Sequence, residues 1–273
     1  RHATPGRGGG GTTFSSNIYK AGAGSLSVSH SVVKESTNYG IRLATAEGTV
    51  MLADNTISSN AGYGIYSVGS SPTISGNTIN GNGQYGIHCE DSPAGISGNT
   101  VTGSVFGIYV TGARAPISVT GNTLDGNSGG PIYLNVAVSG LVIAADNVFS
   151  GPIRVGGGNL SASQSWENNR TYYIDGTVSV ASGVTLTVTG HAVKFAAGTY
   201  LSVSGTLNVT GSSAAKAYFT DYRDDTVGGD TNGDSDLTSP GRGWWAGIIV
   251  QAGGSAAIDW AEVRYGGGGT TFY

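Results

Sequence analysis

The chain has 273 residues, of which 11% are charged and 48 are glycine, and its formal net charge is −4. Ordinary soluble domains carry about 25% charged residues, and the 13 lysines and arginines are scattered, so we expect no nucleic-acid partner. No apolar run approaches the roughly 20 residues that a bilayer requires, so we expect no membrane span. The single cysteine, Cys89, excludes an intrachain disulfide, and we expect its side chain in the core.

A repeating unit of 22 to 25 residues occupies the first half of the chain. Its first mark is a motif such as GNTI at 76–79, and its second mark, about ten residues later, is YGI or FGI. Each unit holds two or three short alternating strands, which are too short and too β-branched for a helical repeat. The pattern predicts an all-β solenoid in which each unit is one coil, with equivalent residues stacked about 4.8 Å apart.

Stacking gives two sets of repeated residues a predicted role. The asparagines of the first motif are Asn55, Asn77, Asn99, Asn122 and Asn147. They form either a row of ligand-binding side chains or a structural ladder, in which the amides bond to one another and to the turn, and we favour the ladder.

The aromatic residues before each GI are Tyr39, Tyr63, Tyr85 and Phe106. They predict an aromatic column on one face, with Tyr66 and Tyr109 in a similar file. Such a column either binds sugars or covers the turn and stiffens the stack, and we favour the second function.

The GNTI and YGI units resemble those of right-handed parallel β-helix proteins, a broad class of bacterial and archaeal surface and carbohydrate-active proteins. The resemblance covers residues 14–155. It implies a right-handed parallel β-helix with an extracellular or cell-surface location. This fold hosts lyases, hydrolases, epimerases, adhesins and inert spacers, so the resemblance specifies function poorly.

The pattern changes after residue 155. We expect regular coils over 1–155, a transition over 156–170, and the start of a further β-helix segment over 171–273. The last segment reads as short alternating strands punctuated by glycine, and it resembles the opening coils of β-helix domains in large secreted bacterial proteins. An acidic insertion at 221–242 interrupts it.

The acidic insertion holds the sharpest candidate site. The stretch DTNGDSD at 230–236 presents oxygen side chains at alternate positions around a flexible glycine, and it resembles the calcium loops of EF-hand-like and dockerin-like repeats. The predicted ion is Ca²⁺, and the predicted ligands are Asp230, Asn232, Asp234 and Asp236, with Asp225 as a further candidate. No glutamate follows at the twelfth position, and the competing interpretation is a solvated acidic loop.

Catalytic motifs of related enzymes do not occur in the sequence. The GHG and RxK motifs of polygalacturonase-like hydrolases and the DPHE-type motif of β-helix epimerases are absent. The one dense polar set in the regular half comprises His88, Glu90, Asp91, Arg114 and Asp125. A histidine beside carboxylates could act as a general base, but this arrangement is ordinary on a protein surface, so we expect no enzymatic activity.

The heptapeptide GGGGTTF occurs at 8–14 and again at 266–272, an offset of 258 residues. The chain does not begin with Met, and we expect it to be one period of a tandem array. The predicted function is a fibre, stalk, sheath or surface adhesin built from identical copies end to end, joined by peptide bonds or by stacking. The alternative, from a different class, is a carbohydrate-binding or carbohydrate-cleaving module whose partner is an extracellular polysaccharide.

Overall fold

Successive strands of the chain turn around a common axis, and each pairs in parallel with the strand one coil later. The computed structural model describes residues 15–112, 116–135, 140–166 and 170–269. Within those ranges there are 29 strands and no helix. The fold is the all-β parallel solenoid that the repeat predicts.

The strands are numbered in chain order and form five parallel sheets. Sheet A comprises β1 (Ser16–Gly22), β4 (Tyr39–Ala46), β7 (Ile65–Val68), β10 (Tyr85–Glu90), β13 (Phe106–Thr111), β15 (Gly130–Asn135), β17 (Ile153–Gly156), β20 (Tyr172–Ile174), β23 (Ala192–Phe195), β26 (Ala217–Asp221) and β29 (Ala261–Val263). Sheet B comprises β2 (Leu26–Ser29), β5 (Val50–Ala53), β8 (Pro72–Ser75), β11 (Ala94–Ser97), β14 (Ile117–Thr120) and β16 (Leu141–Ile143). Sheet C comprises β3 (Val32–Lys34), β6 (Thr56–Ser58), β9 (Thr78–Asn80) and β12 (Thr100–Thr102). Sheet D comprises β18 (Gly158–Leu160), β21 (Val178–Val180), β24 (Tyr200–Val203) and β27 (Gly247–Val250). Sheet E comprises β19 (Gln164–Trp166), β22 (Thr185–Thr189), β25 (Thr206–Thr210) and β28 (Ser255–Asp259).

The core consists of aliphatic columns inside the coils. One column runs up sheet A in register, and its members are all fully buried: Ile41, Ile65, Ile87, Ile108, Ile132 and Ile153. Each isoleucine is covered by its equivalents in the coils above and below, so the burial of apolar area repeats once per coil. The sequence period therefore equals the coil length.

The glycine of the YGI motif is required by the close approach of neighbouring coils. A Cβ atom on Gly64 would lie 2.7 Å from the carbonyl oxygen of Gly86 and 2.9 Å from Cγ2 of Ile79. The glycine before the asparagine is required for another reason, which is its backbone conformation: Gly76, for example, has a φ of 64°. Asp54 holds the same position in an earlier coil with a φ of 56°, because Asp tolerates the left-handed region better than most residues.

The five predicted ladder asparagines lie one above another in the turns that lead out of sheet B, and each is at most 3% exposed. The Nδ2 of each of the first four donates to the Oδ1 of the asparagine one coil later at 2.9–3.0 Å, and that of Asn147 donates to the carbonyls of Val119 and Ala144. The same Oδ1 accepts the backbone N–H of the earlier asparagine. Asn99, for example, also donates from Nδ2 to the carbonyl of Ile74 at 3.0 Å. These amides are hydrogen-bonded to the turn backbone and to one another, so their role in the structure is to hold the coils in register.

A second, shorter ladder was missed by the sequence analysis. Asn60 donates from Nδ2 to Oδ1 of Asn82 at 2.9 Å, in the turn that leads into sheet A. The backbone N–H of Ser104 donates to Oδ1 of Asn127 at 3.1 Å. The available signal was a polar residue two or three positions before the aromatic residue of YGI or FGI. Serine replaces asparagine at Ser36 and Ser104, which interrupts the repeat of identical letters.

Sheet A runs without a break through the predicted transition at 156–170. Strand β15 pairs with β17, and β17 pairs with β20, whereas sheet B ends at β16 and sheets D and E begin at β18 and β19. The second half therefore continues the same stack of coils with two different faces, where the sequence suggested a fresh start. The division of the chain into separate segments remains a prediction.

The acidic insertion lies between β26, which ends at Asp221, and β27, which begins at Gly247. Two fully buried carboxylates fix its base. Asp221 accepts from Arg223 at 2.6 Å, and Asp224 accepts from Nε of Arg264 at 2.7 Å. Buried charges require such partners, so these two aspartates hold the insertion to the solenoid.

The first copy of GGGGTTF, at 8–14, and the last three residues of the second copy, at 270–272, lie outside the described residues. The four glycines at 266–269 run beside the returning arm of the insertion. Gly268 donates its N–H to the carbonyl of Trp245 at 3.0 Å, and a Cβ atom on Gly268 would lie 2.4 Å from the carbonyl oxygen of Gly243. Close backbone approach is therefore a local reason for glycine in this copy.

We expect the substitution Asn99→Ala to destabilise the protein by about 2–4 kcal/mol. It removes hydrogen bonds to the asparagines on both sides and leaves the buried N–H of Asn77 without its acceptor. The measurement is the free energy of unfolding in urea, and the control is Asn159→Ala at an exposed position of β18. A loss for Asn99→Ala within about 0.5 kcal/mol of the control would contradict the structural role of the ladder.

Candidate functional site

Three carboxylates converge in the acidic insertion. Ligand atoms of Asp225, Asp230 and Asp234 all lie within 4.8 Å of one another. Calcium binds oxygen at about 2.3–2.6 Å, so two of its ligands can be up to about 5 Å apart, and the group has suitable spacing for one ion. The fold thus brings together two of the four predicted ligands and the further candidate, Asp225.

Three oxygen atoms in this loop are buried and have no hydrogen-bond partner among the described residues. They are Oδ1 of Asp225, Oδ1 of Asn232 and Oδ1 of Asp234. The second polar atom of two of these side chains is bonded, since Nδ2 of Asn232 donates to Oγ1 of Thr238 at 2.9 Å and that hydroxyl donates to Oδ2 of Asp234 at 2.5 Å. A buried oxygen without a donor is costly, and a hard cation is a partner that carboxylate and amide oxygens accept.

The negative charges of the three carboxylates lie close together and affect one another's pKa values. Burial raises the pKa of Asp225, and the nearby carboxylates of Asp230 and Asp234 add to the rise, while Lys194 opposes it. The backbone N–H of Ser235 donates to Asp230 at 2.9 Å and holds the pKa of that exposed carboxyl below its usual range. Asp230 is therefore anionic at neutral pH, and a divalent cation would relieve the repulsion that it exerts on Asp225.

The insertion folds back over the outward face of sheet A. Lys194 on β23 is fully buried beneath it and donates from Nζ to the carbonyl of Gly229 at 2.5 Å. Burial lowers the pKa of Lys194, and the neighbouring carboxylates counteract that effect. Oγ1 of Thr171 donates to the carbonyl of Gly228 at 2.9 Å, so a second side chain of the solenoid holds the loop in place.

Asp236, the fourth ligand predicted from the sequence, is not part of the carboxylate group. The prediction assumed that side chains alternate along an extended stretch. Ser235 and Asp236 instead have φ values of 59° and 76°, so the chain turns there and the alternation ends. Asp225, which lies five residues before the DTNGDSD stretch, takes part because the insertion doubles back.

An aromatic strip covers the outward face of sheet A in the first half of the solenoid. It consists of the predicted column, Tyr39, Tyr63, Tyr85 and Phe106, and of a second file beside it, Tyr66, His88, Tyr109 and Tyr133. Consecutive ring centroids of the column are 5.3, 5.3 and 6.0 Å apart. Tyr66 and Tyr109 are the members of the second file that the sequence predicts, whereas His88 and Tyr133 are not predicted because the residue type at that position varies.

Several rings of the aromatic strip stack face to face, whereas others, such as Tyr63 and Tyr85 at 64°, meet edge to face. The rings of Tyr85 and Tyr109 are 4.1 Å apart with an interplanar angle of 7°, and those of Tyr109 and Tyr133 are 4.4 Å apart at 9°. Rings in this arrangement cover one another's faces and direct their edges outward. Sugar binding by stacking requires an exposed ring face, so the geometry favours stiffening of the stack over sugar binding by this strip.

His88 is held inside the aromatic strip. It is 8% exposed, its Nε2 lies 3.1 Å from Oγ1 of Thr111, and the rings of Tyr66 and Tyr109 are 5.0 and 5.1 Å from its ring. Burial lowers the pKa of His88 to about 4, which makes it a weak base at neutral pH. Glu90, its predicted partner, accepts a hydrogen bond from the hydroxyl of Tyr66 at 2.5 Å.

The remaining residues of the predicted polar set have separate locations or contacts in the structure. Asp125 accepts the backbone N–H of Ser150 at 2.6 Å, Asp91 lies at the end of β10 with a φ of 44°, and Arg114 lies outside the described residues. Cys89 is fully buried, and burial raises the pKa of its thiol to about 12. It is a core residue in the structure, as the alternation along its strand predicts.

Residues 7–124 match the family model described as "Right handed beta helix region". No curated protein and no solved structure matches the chain. Within the described ranges, no helix is both long and apolar enough to cross a bilayer.

We expect the substitution His88→Phe to reduce the loss of stability in acid. The pKa of His88 in the folded protein is about 4, below its ordinary value of about 6.5, so the unfolded chain binds the proton more readily. Stability is therefore fully present above about pH 6.5 and falls as the pH drops toward 4, and at pH 4.5 this one residue accounts for about 2–3 kcal/mol of the loss. Phenylalanine keeps a ring in the strip and does not titrate.

The measurement is the free energy of unfolding of both proteins at pH 4.5 and pH 7.5. The free energy of unfolding should fall from pH 7.5 to pH 4.5 by about 2–3 kcal/mol less in His88→Phe than in the wild type. Parallel pH profiles for the variant and the wild type would show that His88 is not buried as a neutral imidazole.

Proposed function

The chain is a right-handed parallel β-helix, and we propose that it is an extracellular structural solenoid, a unit of a fibre, stalk, sheath or surface adhesin. In this proposal identical copies assemble end to end, and the chain has no catalytic activity. The observation that carries it is the apolar character of the last described coil.

Inward-facing residues of the last coil are half exposed. Val263 on β29 pairs in register with Phe219, and Ile258 on β28 pairs with Val209, and both partners are at most 2% exposed. Val263 itself is 50% exposed and Ile258 is 46% exposed, because no described coil covers them. Strands β27, β28 and β29 are the edge strands of their sheets, and such edges present backbone groups to further strands.

A coil of an identical copy is the partner we propose for this surface. A parallel coil of similar circumference would continue the hydrogen bonding of the edge strands and bury the apolar side chains. The first coil has sheets A, B and C, whereas the last has sheets A, D and E. The chain itself passes from sheets A, B and C to sheets A, D and E near β17 while sheet A continues, so a change of cross-section within one stack of coils has a precedent in this structure, although the junction would make the change in the reverse order.

Strand spacing bears on how the copies are joined. If peptide bonds joined copies at the offset of 258 residues, ten residues would separate β29 from the β1 strand of the next copy. Consecutive strands of sheet A are separated by at least fifteen residues elsewhere. A coil of the observed kind does not fit into ten residues, so copies joined by peptide bonds at this offset would need a junction of a different form.

Calcium belongs to this proposal as a structural ligand of the insertion. Asp225, Asn232 and Asp234 would supply the unpartnered oxygens, and Asp230 would complete the group. The ion would rigidify the loop over sheet A without taking part in chemistry. Modules that work outside the cell bind calcium with dissociation constants of about 10⁻⁴–10⁻³ M, which suits a small exposed site of this kind.

End-to-end assembly predicts association that depends on the last coil. We expect the double substitution Ile258→Lys with Val263→Lys to weaken self-association at least tenfold, since it places two charges where a neighbouring coil must be buried. The measurement is analytical ultracentrifugation over a range of concentrations, with electron microscopy of the concentrated protein. The control is Thr73→Lys, at an exposed position in the middle of sheet B.

A wild-type chain that stays monomeric at all concentrations would contradict assembly by stacking. Equal association of the double variant and the wild type would show that the copies meet through another surface.

Calcium binding predicts a stabilisation that the acidic loop alone controls. We expect 10 mM Ca²⁺ to stabilise the wild type by about 2–3 kcal/mol relative to chelator, if the dissociation constant is near 10⁻⁴ M. The double variant Asp225→Asn with Asp234→Asn should lose this response while remaining at least as stable as the wild type in chelator, because like charges have been removed. Thermal unfolding with and without the ion measures both effects.

The control is Glu47→Gln, an exposed carboxylate in the first half of the chain, which should respond to calcium as the wild type does. Identical melting of the wild type in calcium and in chelator would refute the site. A full calcium response in the double variant would place the ion elsewhere.

A further inference from the structure

The first described coil, formed by β1, β2 and β3, is the surface that the last coil of a neighbouring copy would meet. Its inward-facing residues include Ile18 on β1 and Leu26 and Val28 on β2, which are partly buried and pack against the core. Their partners in the second coil are at most 1% exposed. The inward side of the first coil is therefore largely apolar, as it is in the last coil.

Lys20 is the charged residue on this inward side. It pairs in register with Leu43 on β4, and Leu43 pairs with Ser67 on β7, which pairs with Cys89 on β10. The side chains of these three partners are fully buried. A half-buried lysine thus begins a column whose next three members are enclosed in the core.

The ammonium group of Lys20 is satisfied by hydrogen bonds but not by an opposite charge. Its Nζ donates to the carbonyls of Ala21, Gly22 and Ala23 at 2.8, 2.5 and 2.9 Å. An ammonium group has three N–H donors, so these carbonyls at the end of β1 use all of them. Lys20 forms no ion pair with any described residue. Its positive charge is therefore uncompensated.

The two end coils of the described structure differ in this respect. The inward residues of β27, β28 and β29 in the last coil are all uncharged: Ile248, Val250, Ala256, Ile258, Ala261 and Val263. Natural β-proteins use inward-pointing charges on edge strands to oppose further strand pairing, and solenoids use polar end repeats for the same purpose. The first coil carries such a charge, and the last described coil does not.

We propose that Lys20 is a cap that weakens end-to-end stacking at the first coil. The inference rests on the assembly proposed above, in which the last coil of one copy covers the first coil of the next. A covering coil would exclude water from the ammonium group and bury its charge without a partner, which disfavours the stacked state. The partner of this surface is a second copy of the chain, and Lys20 limits how tightly the two copies associate.

The substitution Lys20→Met tests the cap. Methionine keeps a long, unbranched side chain and suits a column that continues with Leu43, but it carries no charge. We expect this variant to self-associate at least tenfold more tightly than the wild type in analytical ultracentrifugation over a range of concentrations. The matched control is Lys34→Met, an exposed lysine that points outward from β3 in the same coil, and it should associate as the wild type does.

Three further variants separate the charge from other effects of the substitution. Lys20→Gln keeps a donor for the carbonyls and removes the charge, so it should also tighten association, and the test does not depend on the folding of Lys20→Met. Lys20→Arg keeps the charge and should associate as the wild type does. Addition of Ile258→Lys and Val263→Lys to Lys20→Met should abolish the gain, because the last coil of the neighbouring copy provides the other half of the contact.

The outcomes distinguish the cap from the assembly on which it rests. A wild type that associates as tightly as both uncharged variants would overturn the cap and leave end-to-end assembly intact. A gain that persists in the combined variant would also overturn the cap, since the copies would then meet through another surface. If the wild type and both uncharged variants are all monomeric, both proposals fail. A monomeric wild type with an associating Lys20→Met variant would support the cap while contradicting assembly of the wild type.

Discussion

Parallel pairing between consecutive coils is the constraint on which the rest of the structure depends. It places every residue about 4.8 Å from its equivalent in the next coil, so whatever side chain recurs must interact well with itself. Asparagine does so because one amide carries both donors and an acceptor, and Asn77 and Asn99 satisfy each other within a buried turn. Isoleucine does so through apolar contact, as Ile65 and Ile87 show inside the core.

The same spacing decides what the outward face of sheet A can do. Tyrosine rings repeated at this interval can stack face to face, as Tyr109 and Tyr133 do, and their contacts stiffen the coils. Burial inside that strip raises the pKa of Tyr109 and lowers that of His88, so both side chains remain neutral near physiological pH. A face built in this way is suited to mechanical continuity, and its ring faces are already occupied.

Buried charges and clustered carboxylates occur in the acidic insertion, where the coil repeat is interrupted. The insertion brings its own buried charges, and Asp221 and Asp224 are held by Arg223 and Arg264. Once anchored, it covers Lys194 and gathers a group of carboxylates away from the repeated coils.

The sequence by itself determined the solenoid, its coil length, the asparagine ladder and the first aromatic column, because in a solenoid the spatial neighbours of a residue are its own repeats. It also pointed to Asp230 and Asp234. Only the tertiary structure decided that Asp225 joins them and Asp236 does not, because the insertion turns back on itself at positive φ values that no alternation rule anticipates.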